Sequence, residues 1–305
     1  MAKRWLVTWS ALVVLLNPAR GQAQFTDAHN YDNSPVGLNQ LELGYAFVHG
    51  NASIDPSLAV AGANVNVNQV IVDYTRYFGL FNRVAWVEAG VPVAHLGGSI
   101  SGANFEGSNS GVGDSSCAVA MLLKGGPALD VAAFDDYTRT ATIGVSVSVT
   151  APTGRYDAAT LLNLGSDRWS FKPEVAFSLP FGRNQKWQLD SYANVYFYTD
   201  NTSYHGREIL RQEPLAGLEE HLSYSFTDNI WASFDSRYAF RGTTFLDGVD
   251  QNNAQQNILV GSEIGMALSA RHSLLFEVGK AVIHRNSPAV FGFSVKYDYV
   301  WGKRF

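Results

Sequence analysis

The clearest feature of this chain is an alternation of apolar and polar residues with a period of two. In residues 141–150, Ala, Ile and Val alternate with Thr, Gly and Ser. In residues 291–299, aromatic and aliphatic residues alternate with Gly, Ser, Lys and Asp, and the segment ends with Val300 and Trp301. Successive side chains of a strand point to opposite faces of a sheet, so each such segment predicts a β-strand with one apolar and one polar face.

Twelve segments follow this pattern, and most have about the 9 to 11 residues that a tilted strand needs to cross a bilayer. They are residues 41–48, 65–77, 84–94, 112–123, 138–151, 169–179, 187–199, 215–226, 230–240, 257–268, 273–282 and 291–301. Counted in chain order, the first, third, fifth, seventh and ninth segments are followed by long connections, whereas most of the other connections are short. We therefore expect both chain ends on the periplasmic side, with residues 124–137 as an unusually long turn.

Two kinds of protein fit the alternation itself, a membrane barrel and a secreted β-sandwich. Two observations favour the membrane barrel. Charged residues are almost absent from the alternate positions that form the apolar face of each segment, here called the apolar parity, and aromatic residues fall near the segment ends, where interfacial girdles form. Lipid offers no water to unpaired strand edges, so the first and last strands must pair. The sequence therefore predicts an all-β protein, a single antiparallel transmembrane β-barrel of about 12 strands.

Four residues depart from the pattern. Glu220 and Lys280 fall on the apolar parity, and Pro92 and Pro173 lack the N–H that a sheet ladder needs. We expect bulges or local changes of register at these places.

The two ends of the chain predict export to the bacterial outer membrane. Residues 1–23 are expected to be a secretory signal peptide, because Lys3 and Arg4 precede an apolar stretch and small residues at a cleavage point. Residues 24–305 are then the barrel. The alternating aromatic final strand and Phe305 resemble the C-terminal signal that the barrel-assembly machinery reads. Outer-membrane lipid and that machinery are therefore the expected partners.

Composition narrows the function class further. Charged residues make up 16% of the chain, against about 25% in a typical soluble domain, so less of the surface meets water. The net charge is -5 and no basic stripe is present, which argues against a nucleic-acid partner. The single cysteine, Cys117, cannot form an internal disulfide, so crosslinks do not stabilise the fold.

Charged residues on the polar face of the predicted strands, here called the polar parity, would line the interior of the barrel. They are Asp73, Asp114, Lys172, Glu174, Asp190, Glu219, Asp235, Arg237, Glu263, Glu277, Lys296 and Asp298. Two interpretations stay open, a packed interior crosslinked by hydrogen bonds and an electrostatic filter along a passage. About 12 strands leave a narrow or plugged lumen. If a pore exists, its surplus of carboxylates favours cations or neutral solutes over anions.

An enzymatic alternative depends on His221 and Ser223, which share one face of a predicted strand. A base and a hydroxyl form a nucleophilic unit only within hydrogen-bond reach. Their spacing resembles the pair found in outer-membrane phospholipases, although the barrel pattern points them inward. The histidines elsewhere are scattered, with no spacing typical of a zinc site, so the sequence predicts neither a metal nor a cofactor.

Two segments carry a family resemblance. Residues 150–157, Thr-Ala-Pro-Thr-Gly-Arg-Tyr-Asp, and residues 163–174, Asn-Leu-Gly-Ser-Asp-Arg-Trp-Ser-Phe-Lys-Pro-Glu, resemble the bacterial family described as "putative MetA-pathway of phenol degradation". The resemblance extends from about Val70 to the C-terminus. Members of the family are regarded as outer-membrane barrels, often labelled transporters and sometimes encoded beside genes of aromatic catabolism. The resemblance implies uptake of aromatic or other hydrophobic compounds, without indicating a substrate site.

The sequence thus predicts an outer-membrane channel or transporter for small molecules, hydrophobic or aromatic ones among them, without catalysis. Two alternatives are a non-transporting barrel with a structural or partner-binding role, and an outer-membrane esterase or lipase that uses His221 and Ser223.

Overall fold

The computed structural model describes residues 26–51, 63–101, 105–160 and 162–302. The predicted signal peptide, residues 1–23, lies outside the described residues. The strands in these ranges are β1 (Leu38–Gly50), β2 (Ala63–Leu80), β3 (Arg83–Ile100), β4 (Phe105–Val112), β5 (Ser115–Lys124), β6 (Thr142–Ala151), β7 (Ser170–Phe181), β8 (Trp187–Tyr198), β9 (Asn201–Tyr204), β10 (Glu208–Gln212), β11 (Leu215–Ser225), β12 (Ile230–Arg241), β13 (Thr244–Leu246), β14 (Val249–Asp250), β15 (Gln255–Ala267), β16 (His272–Arg285) and β17 (Val290–Gly302). A short helix, α1 (Val131–Phe134), and a 3-10 turn at Arg183–Gln185 complete them. Within these ranges, no helix has the length and apolar character needed to cross a membrane.

Strand pairing closes the main sheet into a barrel. Its order is β2-β1-β17-β16-β15-β12-β11-β8-β7-β6-β5-β3-β4, and β2 also pairs with β3. β4 and β5 pair with different parts of β3, so together they take one of the 12 positions around the barrel. The first and last strands, β1 and β17, pair in antiparallel register from Leu38↔Gly302 to Gly50↔Val290. The predicted 12-stranded antiparallel barrel is confirmed.

Apolar side chains cover the outside of the barrel, and polar side chains fill the inside. On the outer face, Val119, Val175 and Phe234 are 56%, 54% and 60% exposed. On the inner face, Asp190 and Glu263 are fully buried. An outer surface of this kind is stable against acyl chains, whereas in water it would drive aggregation. The distribution excludes the secreted β-sandwich, in which the Val and Phe residues would be sealed between two sheets.

The sheet is irregular near Pro92 and Pro173, as the missing N–H of proline predicts. Opposite Pro92, β4 ends at Val112 and β5 begins at Ser115 rather than at the predicted residue 112, and Gly113 N donates to Pro92 O at 2.9 Å. At Pro173, the pairing of β7 with β8 is interrupted between Phe171 and Glu174. Proline offers no N–H to the ladder, so the neighbouring strand loses a partner at each site.

The two residues that broke the charge pattern do lie on the outer face. Glu220 is exposed and accepts a hydrogen bond from Ser191 Oγ on the neighbouring β8. Lys280 is also exposed, in register with Phe291 of β17. Lys280 lies in the loop-side half of β16, where its long side chain can reach the polar interface.

Long connections extend beyond one end of the barrel. β9, β10, β13 and β14 form a separate four-stranded sheet from the two connections that flank β11 and β12. Leu162 and Leu164, from the connection between β6 and β7, are buried against Val65, Val67 and Leu96 of the inner wall. The connection between β6 and β7 therefore packs over the loop-side mouth of the barrel.

Candidate functional site

The segment that precedes β1 lies inside the barrel. Every residue from 27 to 34 is at most 8% exposed, although most of these residues are polar. We call residues 26–37 the plug. Its last residue is tied to the wall where β1 begins, because Gly37 N donates to Tyr77 O at 3.0 Å. The lumen at this level is filled by the chain's own N-terminal segment, which the sequence analysis did not predict.

Carboxylates of the wall accept hydrogen bonds from the plug backbone. Glu219 Oε2 accepts from Thr26 N at 2.7 Å, and Glu263 Oε2 accepts from Ala28 N at 3.2 Å. Asp190 Oδ2 accepts from His29 N at 3.2 Å. These acids project from β11, β15 and β8, so three strands of the wall hold an irregular backbone that has no sheet partner of its own.

Two acids of the plug are held by side chains from outside it. Lys296 Nζ donates to Asp27 Oδ1 at 2.7 Å. Asp32 accepts from Gln188 Nε2 at 2.8 Å and from Arg139 Nη2 at 3.3 Å. Burial raises the pKa of the Asp32 carboxyl, but the charges of Arg139 and His29, together with the hydrogen bonds from His29 and Gln188, outweigh burial and lower that pKa to about 2. Asp32 is therefore an anion across the physiological pH range.

Tyr31 is the largest anchor of the plug. Its ring lies 5.3 Å from the Tyr192 ring and 5.7 Å from the Trp86 ring, measured between centroids. Its hydroxyl is 2.8 Å from Glu174 Oε1 and 2.8 Å from Ser146 Oγ, so it can donate to the carboxylate and accept from the serine. Gly144 makes room for the ring, because a Cβ at that position would lie 2.3 Å from Tyr31 Cδ1. The wall thus forms a fitted site for one phenol group.

The predicted catalytic pair is arranged differently in the structure. Ser223 Oγ lies 2.9 Å from Nε2 of the plug residue His29, whose Nδ1 lies 3.1 Å from Asp32 Oδ2. His221 Nδ1 lies instead 2.8 Å from Asp235 Oδ1. The Ser–His–Asp order resembles a nucleophilic triad. However, Ser223 is 2% exposed, and it does not line the cavity of about 30 Å³ that adjoins His29 and Asp32.

Most of the predicted lumen residues are buried on the inner face of the barrel. Those with at most 6% exposure are Asp73, Glu174, Asp190, Glu219, Asp235, Arg237, Glu263, Glu277, Lys296 and Asp298. Lys172 has a slightly more exposed side chain and pairs with Glu174 at 3.1 Å. That these residues line a path for solute stays a prediction. Glu42 and Glu88 are also inward and buried, and the polar parity of their strands could have identified them.

Asp114 departs from the expected position. It lies in the break between β4 and β5, and its two carboxylate oxygens accept from Gly154 N at 2.8 Å and from Ser166 N at 2.8 Å. A carboxylate that accepts backbone N–H groups from two parts of one connection fixes the path of that connection. Asp114 therefore organises the connection between β6 and β7 over the loop-side mouth.

The unusually long turn between β5 and β6 closes over the plug. Leu129 O accepts from Val36 N at 2.8 Å, and Pro127 O accepts from Asn33 Nδ2 at 3.2 Å. The same turn supplies Arg139 to the Asp32 carboxylate. β6 consequently begins at Thr142 rather than at residue 138, because the preceding residues leave the sheet to contact the plug.

These features define a class of protein, an outer-membrane-type β-barrel whose polar lumen is occupied by its own N-terminal segment. The family model described as "Putative MetA-pathway of phenol degradation" matches residues 27–297, and the chain belongs to this family.

Solved structures agree with this fold. The chain is similar to the COG4313 outer membrane channel from Pseudomonas putida F1, with a TM-score of 0.77, 20% identity, and coverage of 91% of this chain and 100% of that chain. It is also similar to the beta domain of the Bordetella autotransporter BrkA, with a TM-score of 0.51, 10% identity, and coverage of 87% and 100%. Likeness at these identities shows the fold. Among curated proteins, none matches the chain.

Proposed function

We propose that this protein is an outer-membrane channel for small molecules, and that the plug closes its lumen in the conformation described here. The observation that carries the proposal is the way the plug is held. Residues 26–37 contribute no strand to the barrel, and their contacts with the wall are mainly hydrogen bonds, ion pairs and the ring contacts of Tyr31 and His29. Because the plug shares no strand pairing with the wall, it can leave the lumen while the strand ladder stays intact.

We further propose small neutral phenols as the solute class. The family description refers to phenol degradation. The wall already holds one phenol group, that of Tyr31, with its hydroxyl on Glu174 and its ring against Trp86 and Tyr192. When the plug leaves, a free phenol can make the same contacts. The inward carboxylates disfavour anionic aromatic compounds of similar size.

The same arrangement supports a role without catalysis. His29 and Asp32, which complete the triad-like contacts of Ser223, belong to the plug, so those contacts attach the plug to the wall. Ser223 is only 2% exposed, so an ester substrate cannot reach its hydroxyl in this conformation. We also propose that residues 1–23 are removed during export and that the barrel resides in the outer membrane.

Permeation by solutes that cross lipid slowly tests this proposal. Full-length mature protein and a variant that lacks residues 24–36 would be reconstituted into liposomes, with folding verified by heat-modifiable migration on gels. Arbutin, a neutral glucoside that carries a phenol group, is compared with 4-hydroxybenzoate, an anion. We expect arbutin to enter vesicles that contain the truncated variant several-fold faster than vesicles that contain the full-length protein. Through the truncated variant, arbutin should also enter faster than 4-hydroxybenzoate. A folded truncated barrel that admits neither solute would refute the channel and favour the structural alternative.

A further inference from the structure

Three side chains with metal-binding groups meet on the inner wall beneath the plug. His221 of β11, Asp235 of β12 and Glu263 of β15 each offer one ligand atom, and these atoms lie within 4.8 Å of one another. All three residues are 0% exposed. His221 and Asp235 are register partners, and Glu263 pairs with Ser233, two residues from Asp235 on the same face. β11, β12 and β15 are neighbours in the sheet, so their pairing in register brings these three residues together.

Two carboxylate oxygens of this cluster lack a protein partner. In the described part of the chain, neither Asp235 Oδ2 nor Glu263 Oε1 accepts a hydrogen bond. A buried carboxylate oxygen without a partner destabilises the fold, unless a proton or a cation occupies the space beside it. The two carboxylates also repel each other, since both are negatively charged in their ordinary state.

The nearby basic side chains are engaged with other acids. Lys296 lies 2.7 Å from Asp27 and 3.4 Å from Glu277. Arg237 lies 3.4 Å from Glu219. Among the ion pairs of the described residues, the only one that includes Asp235 is its contact with His221, and none includes Glu263. The protein itself therefore leaves the negative charge of this pair largely uncompensated.

We propose that His221, Asp235 and Glu263 bind one divalent first-row transition-metal ion, of which Zn²⁺ is the representative. One imidazole and two carboxylates form a recognised ligand set for such ions, with a fourth position open to water. Ca²⁺ and Mg²⁺ prefer ligand sets made only of oxygen, so the imidazole selects against them. Ligands about 2.1 Å from zinc in tetrahedral geometry lie about 3.4 Å apart, so small side-chain rotations bring the three donors into place.

The site lies at the contact between wall and plug. Glu263 Oε2 accepts from Ala28 N at 3.2 Å, and Ala28 packs against Trp231 and Leu275. A metal ion that fixes the Glu263 carboxylate also fixes this acceptor. Metal binding is therefore expected to stabilise the docked plug.

Metal content of the purified protein tests the site. Full-length mature protein, purified from membranes with any affinity tag removed, is dialysed against Zn²⁺ or Co²⁺ and then against metal-free buffer. Bound zinc is measured by elemental analysis, and bound cobalt by its visible absorption, which reports an imidazole and carboxylate environment. The variants Asp235→Asn and Glu263→Gln remove one ligand each. Glu42→Gln is the matched control, because Glu42 is an inward carboxylate with two unpartnered oxygens and lies on a distant strand, β1.

The expected result is about one metal ion per chain in the wild type and in Glu42→Gln, with at least a tenfold loss of affinity in the two ligand variants. The ligand variants must also migrate as folded barrels. Wild-type protein that binds no more metal than the ligand variants would overturn the proposal and leave a proton shared between the two carboxylates. An equal loss in Glu42→Gln would overturn it as well, because the acidic lumen as a whole would then attract the ion. Neither result depends on whether the barrel conducts solutes.

Discussion

Replacing Tyr31 with alanine is expected to release the plug from the lumen. The side chain is 1% exposed, its ring contacts Tyr192 and Trp86, and its hydroxyl reaches Glu174 at 2.8 Å. No other residue of the plug combines a ring of this size with contact to a charged group in the described structure. The substitution therefore removes the largest single contribution to docking.

The size of the effect follows from two losses. Removing a buried aromatic ring costs about 3–5 kcal/mol. Removing the hydrogen bond to a charged carboxylate costs about 1.5–3 kcal/mol more. Even the lower sum, about 4.5 kcal/mol, reduces the ratio of docked to undocked plug by about a thousandfold, because each 1.4 kcal/mol is a factor of ten. Tyr31→Phe keeps the ring and should lower the same ratio by about tenfold to a hundredfold.

Single-channel recording in planar bilayers measures this ratio as open probability. We expect open probability to rise in the order wild type, Tyr31→Phe, Tyr31→Ala. Gly144→Val tests the same contact from the wall side, since its side chain would collide with the Tyr31 ring and cannot open a hole by itself. Tyr45→Ala is the matched control, because Tyr45 is on the outer face and 39% exposed.

Tyr31→Ala and Gly144→Val variants that fold, as shown by heat-modifiable migration, and yet conduct no more than Tyr45→Ala would refute this prediction. That outcome would mean that the plug stays in place without its aromatic anchor, or that another part of the lumen is the barrier. An equal increase in Tyr45→Ala would also refute it, since the effect would then arise from general loss of stability.

Three further predictions concern acid, lipid and the buried serine. Asp32 has a pKa of about 2 in the docked plug, against an ordinary value of 3.8, so its contribution to docking is complete above about pH 4 and is lost as pH falls through 2. Open probability should therefore rise in that acid range, and Asp32→Asn should raise it at pH 7 and reduce the acid response. Phe234→Arg on the outer face should lower the free energy of unfolding in lipid vesicles by about 2–4 kcal/mol in urea titrations, whereas Val249→Arg beyond the barrel should change it little. Ser223→Ala removes the contact with His29 and should raise open probability by about tenfold or less, while ester hydrolysis stays at background in wild type and variant alike.

Much of the barrel can be predicted from the sequence because alternation is a local property of each strand. The segment at residues 187–199 shows this well, since its inward acid, Asp190, and its outward aromatic residues follow from position parity alone. Pro92 and Pro173 mark the interruptions of the sheet for an equally local reason, the missing N–H. The number of strands, the apolar outside and the acidic inside are thus determined by neighbours along the chain.

The contents of the lumen depend instead on residues that are far apart in the chain. Nothing in the spacing of His29, Tyr31 and Asp32 indicates that they enter the barrel, because an irregular segment has no period from which its surroundings can be read. Likewise, Ser223 pairs with His29 across 194 positions, and His221 lies with Asp235 and Glu263 only after three strands are in register. The alternation of apolar and polar residues determined which side chains of each strand share a face, whereas the pairing of the strands and the entry of the plug decided which polar groups meet inside the barrel.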